Sequence, residues 1–399
     1  NIASIGIAFF LLSSHLGLML PEFLGLPSIT KHVIFAFGVV PLWWNRLNAS
    51  PLAIASPRMR LFHIYFFFIF LFACASAVVA FPEYGMNSTF KTAGLIVVFS
   101  SLMFCSGYYS GKDLRNGLIL YAIIELSLLY FTWSEWNPNA VASRAATAAI
   151  TSYILIPSFV FSFSLLLLGL TIAFRFQSRT VFISMVFSYF GMFLFSKMQK
   201  HSSAYSVALV VVFIASALFA VEGLAELRQH AKSSLNSQGQ LAQFFLSDKD
   251  EKDIDGDFFD RMTPWSVGLE NIQKHPVFGV GLGNESKAQD MASHNAYISL
   301  AVEGGLPSLL IWLLVYLEIG KCLFSIGSNV DPTIDKKLKS LAAFLFIYLI
   351  LSGFLEKSGI GSILAPNNII CCFVAFWSIQ QHAIRSHNSR QQAGSFLKQ

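Results

Sequence analysis

Charge is what this chain has least of. Only 12% of its 399 residues are Asp, Glu, Lys or Arg, where soluble domains carry about 25%. With 55% hydrophobic residues and a mean hydropathy of +0.60, a water-soluble globule is excluded and an integral membrane protein is expected. Cysteine is scarce too. The five, Cys74, Cys105, Cys322, Cys371 and Cys372, lie in or beside apolar segments, and none falls in the large polar stretch. That excludes a disulfide framework and any metal-type spacing, leaving packing as their role. The first apolar run is too long, and its flanks are wrong, for a cleaved signal.

What is abundant is apolar sequence, and its 40 Phe residues suit a lipid-facing surface. A spanning helix needs about 20 apolar residues. Candidates are Ile2–Leu20, Ile29–Trp44, Leu61–Ala80, Phe90–Tyr108, Leu114–Trp133, Thr180–Phe195, Ser203–Glu222, Ala296–Leu317, Leu341–Leu355 and Ser362–Ile379. A longer run, Ala140–Phe174, reads as one helix or as a tight hairpin. Lys and Arg should gather on the cytoplasmic side. A hairpin turning near Pro157, with both termini inside, puts fourteen of them inside and six in short outer segments. The six are Lys31, Lys91, Arg144, Arg175, Arg179 and Lys357. A single helix sets the two halves of the chain in conflict. The expected fold is therefore an all-α polytopic membrane protein of about twelve spans. Residues 1–222 and 296–399 form its membrane blocks, and residues 223–295 a large helical loop outside.

That loop is net negative, with 11 of the chain's 22 acidic residues against 7 Lys and Arg. Thr263-Pro264 reads as a helix start. The helix would run through Lys274, with Trp265, Leu269 and Ile272 on one face. The acidic run Asp248–Asp257 fails as an EF-hand, because Met262 stands where the bidentate Glu belongs. Gly279, Gly281 and Gly283 follow His275-Pro276 and read as turn chemistry, with no strand–turn–helix unit around them. No metal or other cofactor is expected.

Three sets of polar residues stand out at the membrane boundary. Arg175 and Arg179 are spaced i,i+4 at the outer end of a span, so they share a helix side. They serve either to snorkel to anionic headgroups or to clamp a phosphate in a bidentate fork. Arg261 precedes the Thr263-Pro264 helix, and pairs either with Asp257 or Asp260 or with a substrate anion. His294 stands where the loop becomes a span, followed by Asn295. It is an interfacial residue or a base that takes a proton from a hydroxyl. In a continuous helix Gly305, eleven residues on, would share its face and leave open space beneath the ring.

Four local patterns occur in order along Asn137–Ser308: Asn137-Pro138-Asn139-Ala140 before a span, Ser178-Arg179-Thr180 opening another, Arg261-x-x-x-Trp265 followed by His275-Pro276 and Gly279-Val280-Gly281, and His294-Asn295 with Gly305. In these the chain resembles the O-antigen ligase and polymerase superfamily, multi-spanning bacterial glycosyltransferases of GT-C-type fold. The residues before Asn137 match only as generic spans. Ser308 departs from the Gly, Thr or Tyr usual there.

The resemblance implies a reaction at the periplasmic face of the bacterial inner membrane. The donor would be a glycan on undecaprenyl pyrophosphate, and the acceptor a hydroxyl of lipid A–core oligosaccharide. His294 would be the base, and Arg179 and Arg261 would hold the pyrophosphate leaving group. Arg175, Asn295, Trp265 and Gly305 would complete the substrate site. Two guanidiniums can neutralise a pyrophosphate, so no metal is required. Partners would be these substrates and membrane lipids, and not nucleic acid. Polymerases and protein O-oligosaccharyltransferases of the same superfamily are the alternative. A polyprenol-linked glycan transporter is the alternative from another class. Transporters place charge near the midplane of broken helices and show repeats. Here the polar residues cluster at one face, and no repeat is evident.

Overall fold

The computed structural model describes residues 2–23, 34, 37–47, 57–131, 138–175, 181, 184–189, 262–289, 292–325, 336–355 and 365–396. Outside them lie the expected span Ser203–Glu222, most of Thr180–Phe195, the acidic run Asp248–Asp257, and both Arg179 and Arg261. Among the described residues there is helix and no strand. The elements are α1 (Ile2–Phe23), α2 (Val40–Leu47), α3 (Pro57–Tyr84), α4 (Asn87–Cys105), α5 (Gly111–Phe131), α6 (Pro138–Leu155) and α7 (Phe159–Arg175). They continue with α8 (Met262–Lys274), α9 (Glu285–Gln289), α10 (Ala296–Ser325), α11 (Lys336–Leu355) and α12 (Pro366–Phe396).

Five of these are long and apolar enough to cross a membrane, within α3, α4, α5, α10 and α11. Ile2–Gly17 and Phe159–Ala173 are shorter apolar helices. The chain is thus an all-α membrane protein. All-helical structure follows from the solvent, since hydrocarbon offers no partner for a free N–H or C=O. Ile64, Phe67, Phe68, Leu71, Val78 and Val79 remain exposed on α3, the face that lipid would cover.

The run Ala140–Phe174 is two helices. α6 ends at Leu155, the chain turns through Ile156-Pro157-Ser158, and α7 packs back along α6. Gly169 on α7 lies so close to α6 that a Cβ there would stand 2.3 Å from the Ala149 methyl. Small residues permit such approach where no hydrophobic drive joins helices in lipid. α6 is rich in alanine and buried from Val141 to Ser152. It therefore sits inside the bundle rather than against lipid.

An aromatic knot joins α3, α4, α10 and α12. Phe66 stacks on Phe99 at 5.0 Å between centroids and meets Trp312 and Phe376 edge-on at 5.8 and 6.0 Å. Offset and edge-to-face pairs add about 0.5–1.5 kcal/mol each beyond area burial. Polar pairs tie further helices. The Tyr348 hydroxyl of α11 donates to Ser143 Oγ of α6 at 3.1 Å, and Tyr316 of α10 donates to Asn368 of α12. At one end of the bundle Trp377 Nε1 donates to the Tyr109 carbonyl at 2.9 Å.

One expectation is corrected inside the bundle. Arg144 is no outer-loop charge. It lies within α6, 4% exposed, and its Nε donates to Glu125 Oε1 of α5 at 2.6 Å. Its Nη2 donates to Ser14 Oγ of α1 at 2.9 Å, and His15 Nδ1 stands 3.0 Å from the same carboxylate oxygen. One guanidinium thus staples three helices. Arg144 says nothing of topology, because it is held by a partner and not by the membrane surface.

Two measurements follow. Reporter fusions at Asn139 and Gln177 should fall on one side of the membrane, since the helices turn between them; opposite sides would break the hairpin. Glu125→Ala should lower the melting temperature of the detergent-solubilised protein by several degrees. Removing one partner of a buried ion pair strands the other, typically at about 3–5 kcal/mol. Arg144→Ala in the same chain should restore part of that loss. A wild-type melting temperature for Glu125→Ala would deny the staple.

Candidate functional site

Of the polar residues singled out by sequence, Trp265, His294 and Asn295 lie on the elements α8 and α10, where α8, α9, the start of α10 and the end of α11 meet. The arrangement begins with a break. α10 is two helical pieces interrupted at Gly305, whose φ of 79° and ψ of 168° are not helical. In an unbroken helix the Val302 carbonyl would accept from Leu306 N–H. The Glu303 carbonyl would face residue 307, a proline with no N–H to give.

The loop after α8 repairs the break. Val280 N–H donates to the Val302 carbonyl at 2.8 Å and Gly281 N–H to the Glu303 carbonyl at 2.9 Å. Leu306 N–H, freed by the break, donates to the Pro276 carbonyl at 2.8 Å. Ser76 of α3 adds a donor to the Glu303 carbonyl at 2.9 Å. Backbone lies directly on backbone here. A Cβ on Gly279 would stand 2.4 Å from the Val302 oxygen, and one on Gly305 only 2.1 Å from the Val277 oxygen. Both glycines also have φ near +64° and +79°, a region costly to a side chain. The expected open space beneath His294 is therefore absent at Gly305. The loop backbone fills it, because the helix does not run straight from 294 to 305.

The same loop rests on the α3–α4 turn. Asn87 Nδ2 donates to Asn284 Oδ1 at 2.9 Å, and Asn284 Nδ2 donates to the Val280 carbonyl at 3.0 Å. The Lys91 side chain crosses Gly283 so closely that a Cβ there would meet its ammonium. Sequence alone places Lys91 only as a charge on the outer side.

His294 sits at the entry to α10, partly buried, in a left-handed conformation with φ of 51°. It is the one non-glycine residue with positive φ among those described. Asn295 behind it caps the helix. Its Oδ1 accepts from Tyr297 N–H at 2.9 Å and Ile298 N–H at 3.1 Å, the open donors of a first turn. Its Nδ2 donates to the Phe354 carbonyl at 3.4 Å, and Tyr297 Oη donates to the Ile350 carbonyl at 3.1 Å. The turn is thereby tied to α11.

Against the Ser293 end of the turn stands Glu285, which sequence reasoning passes over. It is wholly buried on α9. Its Oε1 accepts from Ser293 N–H at 3.1 Å and its Oε2 from Ser299 Oγ at 2.8 Å. The available signal was its place, an acid directly after the glycine loop.

α8 closes the site from the side, and its start differs slightly from expectation. It begins at Met262, so Pro264 lies in the first turn, where the missing N–H has no helical acceptor to lose. The packed face also differs. Pro264 and Gly268 are buried, Trp265 and Ile272 partly so, and Leu269 is 53% exposed. Gly268 approaches so near α10 that a Cβ would stand 2.5 Å from Ile298 and 3.8 Å from Ser293. The part of α8 that carries Trp265 and Gly268 thus lies against the start of α10. On the outward side Lys274 pairs with Glu270 at 2.8 Å and holds its carboxyl below the usual range. Arg175 ends α7, and its side chain, like Arg179 and Arg261, lies outside the described residues.

The repaired break makes a prediction. Gly305→Ala should force the Pro276–Gly281 loop off α10 and open it to protease. The strain of a left-handed alanine alone costs about 1–2 kcal/mol. Gly304→Ala, which meets only the Ser308 side chain, should leave the loop protected. Equal protection in both variants would mean the loop is not held by this contact.

No curated protein matches the chain. A family model does. The model described as O-antigen ligase matches residues 163–313. That stretch runs from α7 through the glycine loop and the His294 turn to the repaired break in α10, and over it the chain is similar to the O-antigen ligase family.

Proposed function

We infer, from the match of residues 163–313 to the O-antigen ligase model, a glycosyltransferase-like activity of the O-antigen ligase and polymerase type, with lipid-linked glycan and lipid A–core as general substrates. We propose that this chain is a ligase proper. It passes a glycan from undecaprenyl pyrophosphate to a hydroxyl of lipid A–core, without metal, on the periplasmic face of the inner membrane. Its spans number about twelve in a GT-C-like fold. Residues 1–222 and 296–399 frame a periplasmic subdomain of residues 223–295.

One observation carries this reading: a histidine held in a strained left-handed turn at the junction of polar loop and membrane helix. Strain of that kind persists only where surrounding contacts over-determine it, and it clusters at functional sites. In the proposed step the acceptor oxygen attacks the anomeric carbon of the donor. The bond from that carbon to the phosphate oxygen breaks, and its electron pair leaves with undecaprenyl pyrophosphate. His294 takes the hydroxyl proton. Arg179 and Arg261 pair with the pyrophosphate as its charge grows, Arg175 lies near enough in sequence to assist, and Trp265 flanks the acceptor. Asn295 and Gly305 shape the site through the helix cap and the repaired break.

The test is transfer by purified protein supplied with a polyprenyl-pyrophosphate glycan and lipid A–core, read on a gel. General-base help is worth about 10²–10⁴ in rate, so His294→Ala should remove nearly all product while the protein stays folded. His294→Gln keeps an acceptor but takes no proton, and should be equally poor. Arg179→Lys and Arg261→Lys keep charge but lose the bidentate fork, and should both be strongly impaired. Transfer should survive excess EDTA. Full activity of His294→Ala would remove the base, near-normal activity of both lysine variants would remove the clamp, and rescue from EDTA by magnesium or manganese would restore a metal to the reaction.

A further inference from the structure

We propose that Glu285 is the residue that positions His294, by bridging the two ends of the turn that carries it. The inference rests on the reading of His294 as the group that activates the acceptor.

The geometry is a clamp. Ser293, immediately before the histidine, gives its N–H to one carboxylate oxygen, and Ser299, one turn into α10, gives its hydroxyl to the other. The carboxylate is 0% exposed, so no water competes for these bonds. The bridge triangulates the turn: Ser293 cannot swing without moving α9, and α9 cannot move without pulling on α10. From the other side Asn295 fixes the same turn through its cap on Tyr297 and Ile298. Ser293 Oγ adds an internal tie to the Asn295 carbonyl at 3.2 Å.

Between these two locks His294 is held at φ of 51°. A histidine released from one lock would relax toward ordinary backbone and carry its ring away. A misplacement of about 1 Å can lower turnover about 100-fold. Both of these contacts reach groups of the turn and helix, and the role proposed for Glu285 is geometric. An uncharged side chain of the same shape should therefore do it. Glutamine qualifies, since its amide oxygen can accept from Ser293 N–H and its amide nitrogen can donate to Ser299 Oγ.

The test uses full-length protein in detergent and two readouts. Glu285→Ala should lower kcat about 100-fold while the KM for the donor changes little, because the pyrophosphate is held by the arginines. Glu285→Gln should recover most of that turnover with an unshifted pH profile. Hydrogen exchange, which needs no activity, should show the Ser293–Ser299 segment protected in wild type and in Glu285→Gln and exchanging faster in Glu285→Ala. Wild-type turnover in Glu285→Ala, or a Glu285→Gln variant as slow as Glu285→Ala despite retained protection, overturns the proposal. His294→Ala is run beside them. If it stays active while exchange in Glu285→Ala still accelerates, the acceptor-activating role has fallen and the clamp has not.

Discussion

A backbone group inside hydrocarbon must find a partner within the protein, and the site depends on how this chain meets that constraint. A helix satisfies it by default. Breaking one at Gly305 exposes carbonyls at Val302 and Glu303, with no N–H on Pro307 to answer the second. The chain answers with peptide groups from a loop more than twenty residues earlier. Irregular backbone at membrane depth is tolerated where protein buries it, and this loop buries it. The break is what binds the polar loop to the bundle, since each side supplies bonds that the other lacks.

The ion cluster of His15, Glu125 and Arg144 obeys the same rule in its electrostatic form. A lone guanidinium inside a bundle is expensive, and so is a lone carboxylate. Set 2.6 Å apart and joined by Ser14, they become a cross-link among α1, α5 and α6. Its benefit lies less in net stability than in excluding other packings, because either partner alone would be stranded. The alanine-rich α6 needs such a device. Its small side chains permit close approach but discriminate weakly between registers.

What was legible in the sequence follows the strength of the signal. Apolar length exposed the five spans found among the described residues, and Pro157 exposed the α6–α7 turn, because lipid allows few alternatives to a helix and proline punctuates one. The loop glycines read correctly as turn chemistry. Their target did not, since nothing in a linear pattern says that Gly279 and Gly305 meet. Treating 294–305 as one helix placed empty space where Val277 lies. Arg144 was misplaced because a count of charges cannot distinguish a residue at the membrane surface from one paired within it. Leu269 turned outward because Gly268, with no side chain of its own, lets the α8 backbone come against Ile298. Glu285 went unnoticed since a single acid in a polar stretch looks solvated until its partners are known.

The polar groups around His294 also bear on which substrate it can face. A helix N-terminus ordinarily attracts anions through its open N–H groups. Here Asn295 occupies those of Tyr297 and Ile298, and Glu285 occupies that of Ser293. Glu285 further sets two acceptor oxygens beside the turn, which offer an anion no donor. The turn is therefore poorly suited to a pyrophosphate and better suited to a neutral hydroxyl. A pyrophosphate must find its positive charge elsewhere, in side chains that reach it with donors of their own. Guanidiniums meet that need, since each brings five N–H groups in a fixed fork. The proposed separation of the two substrates, hydroxyl at the histidine and phosphate at the arginines, would then rest on how the backbone donors of the turn are already committed.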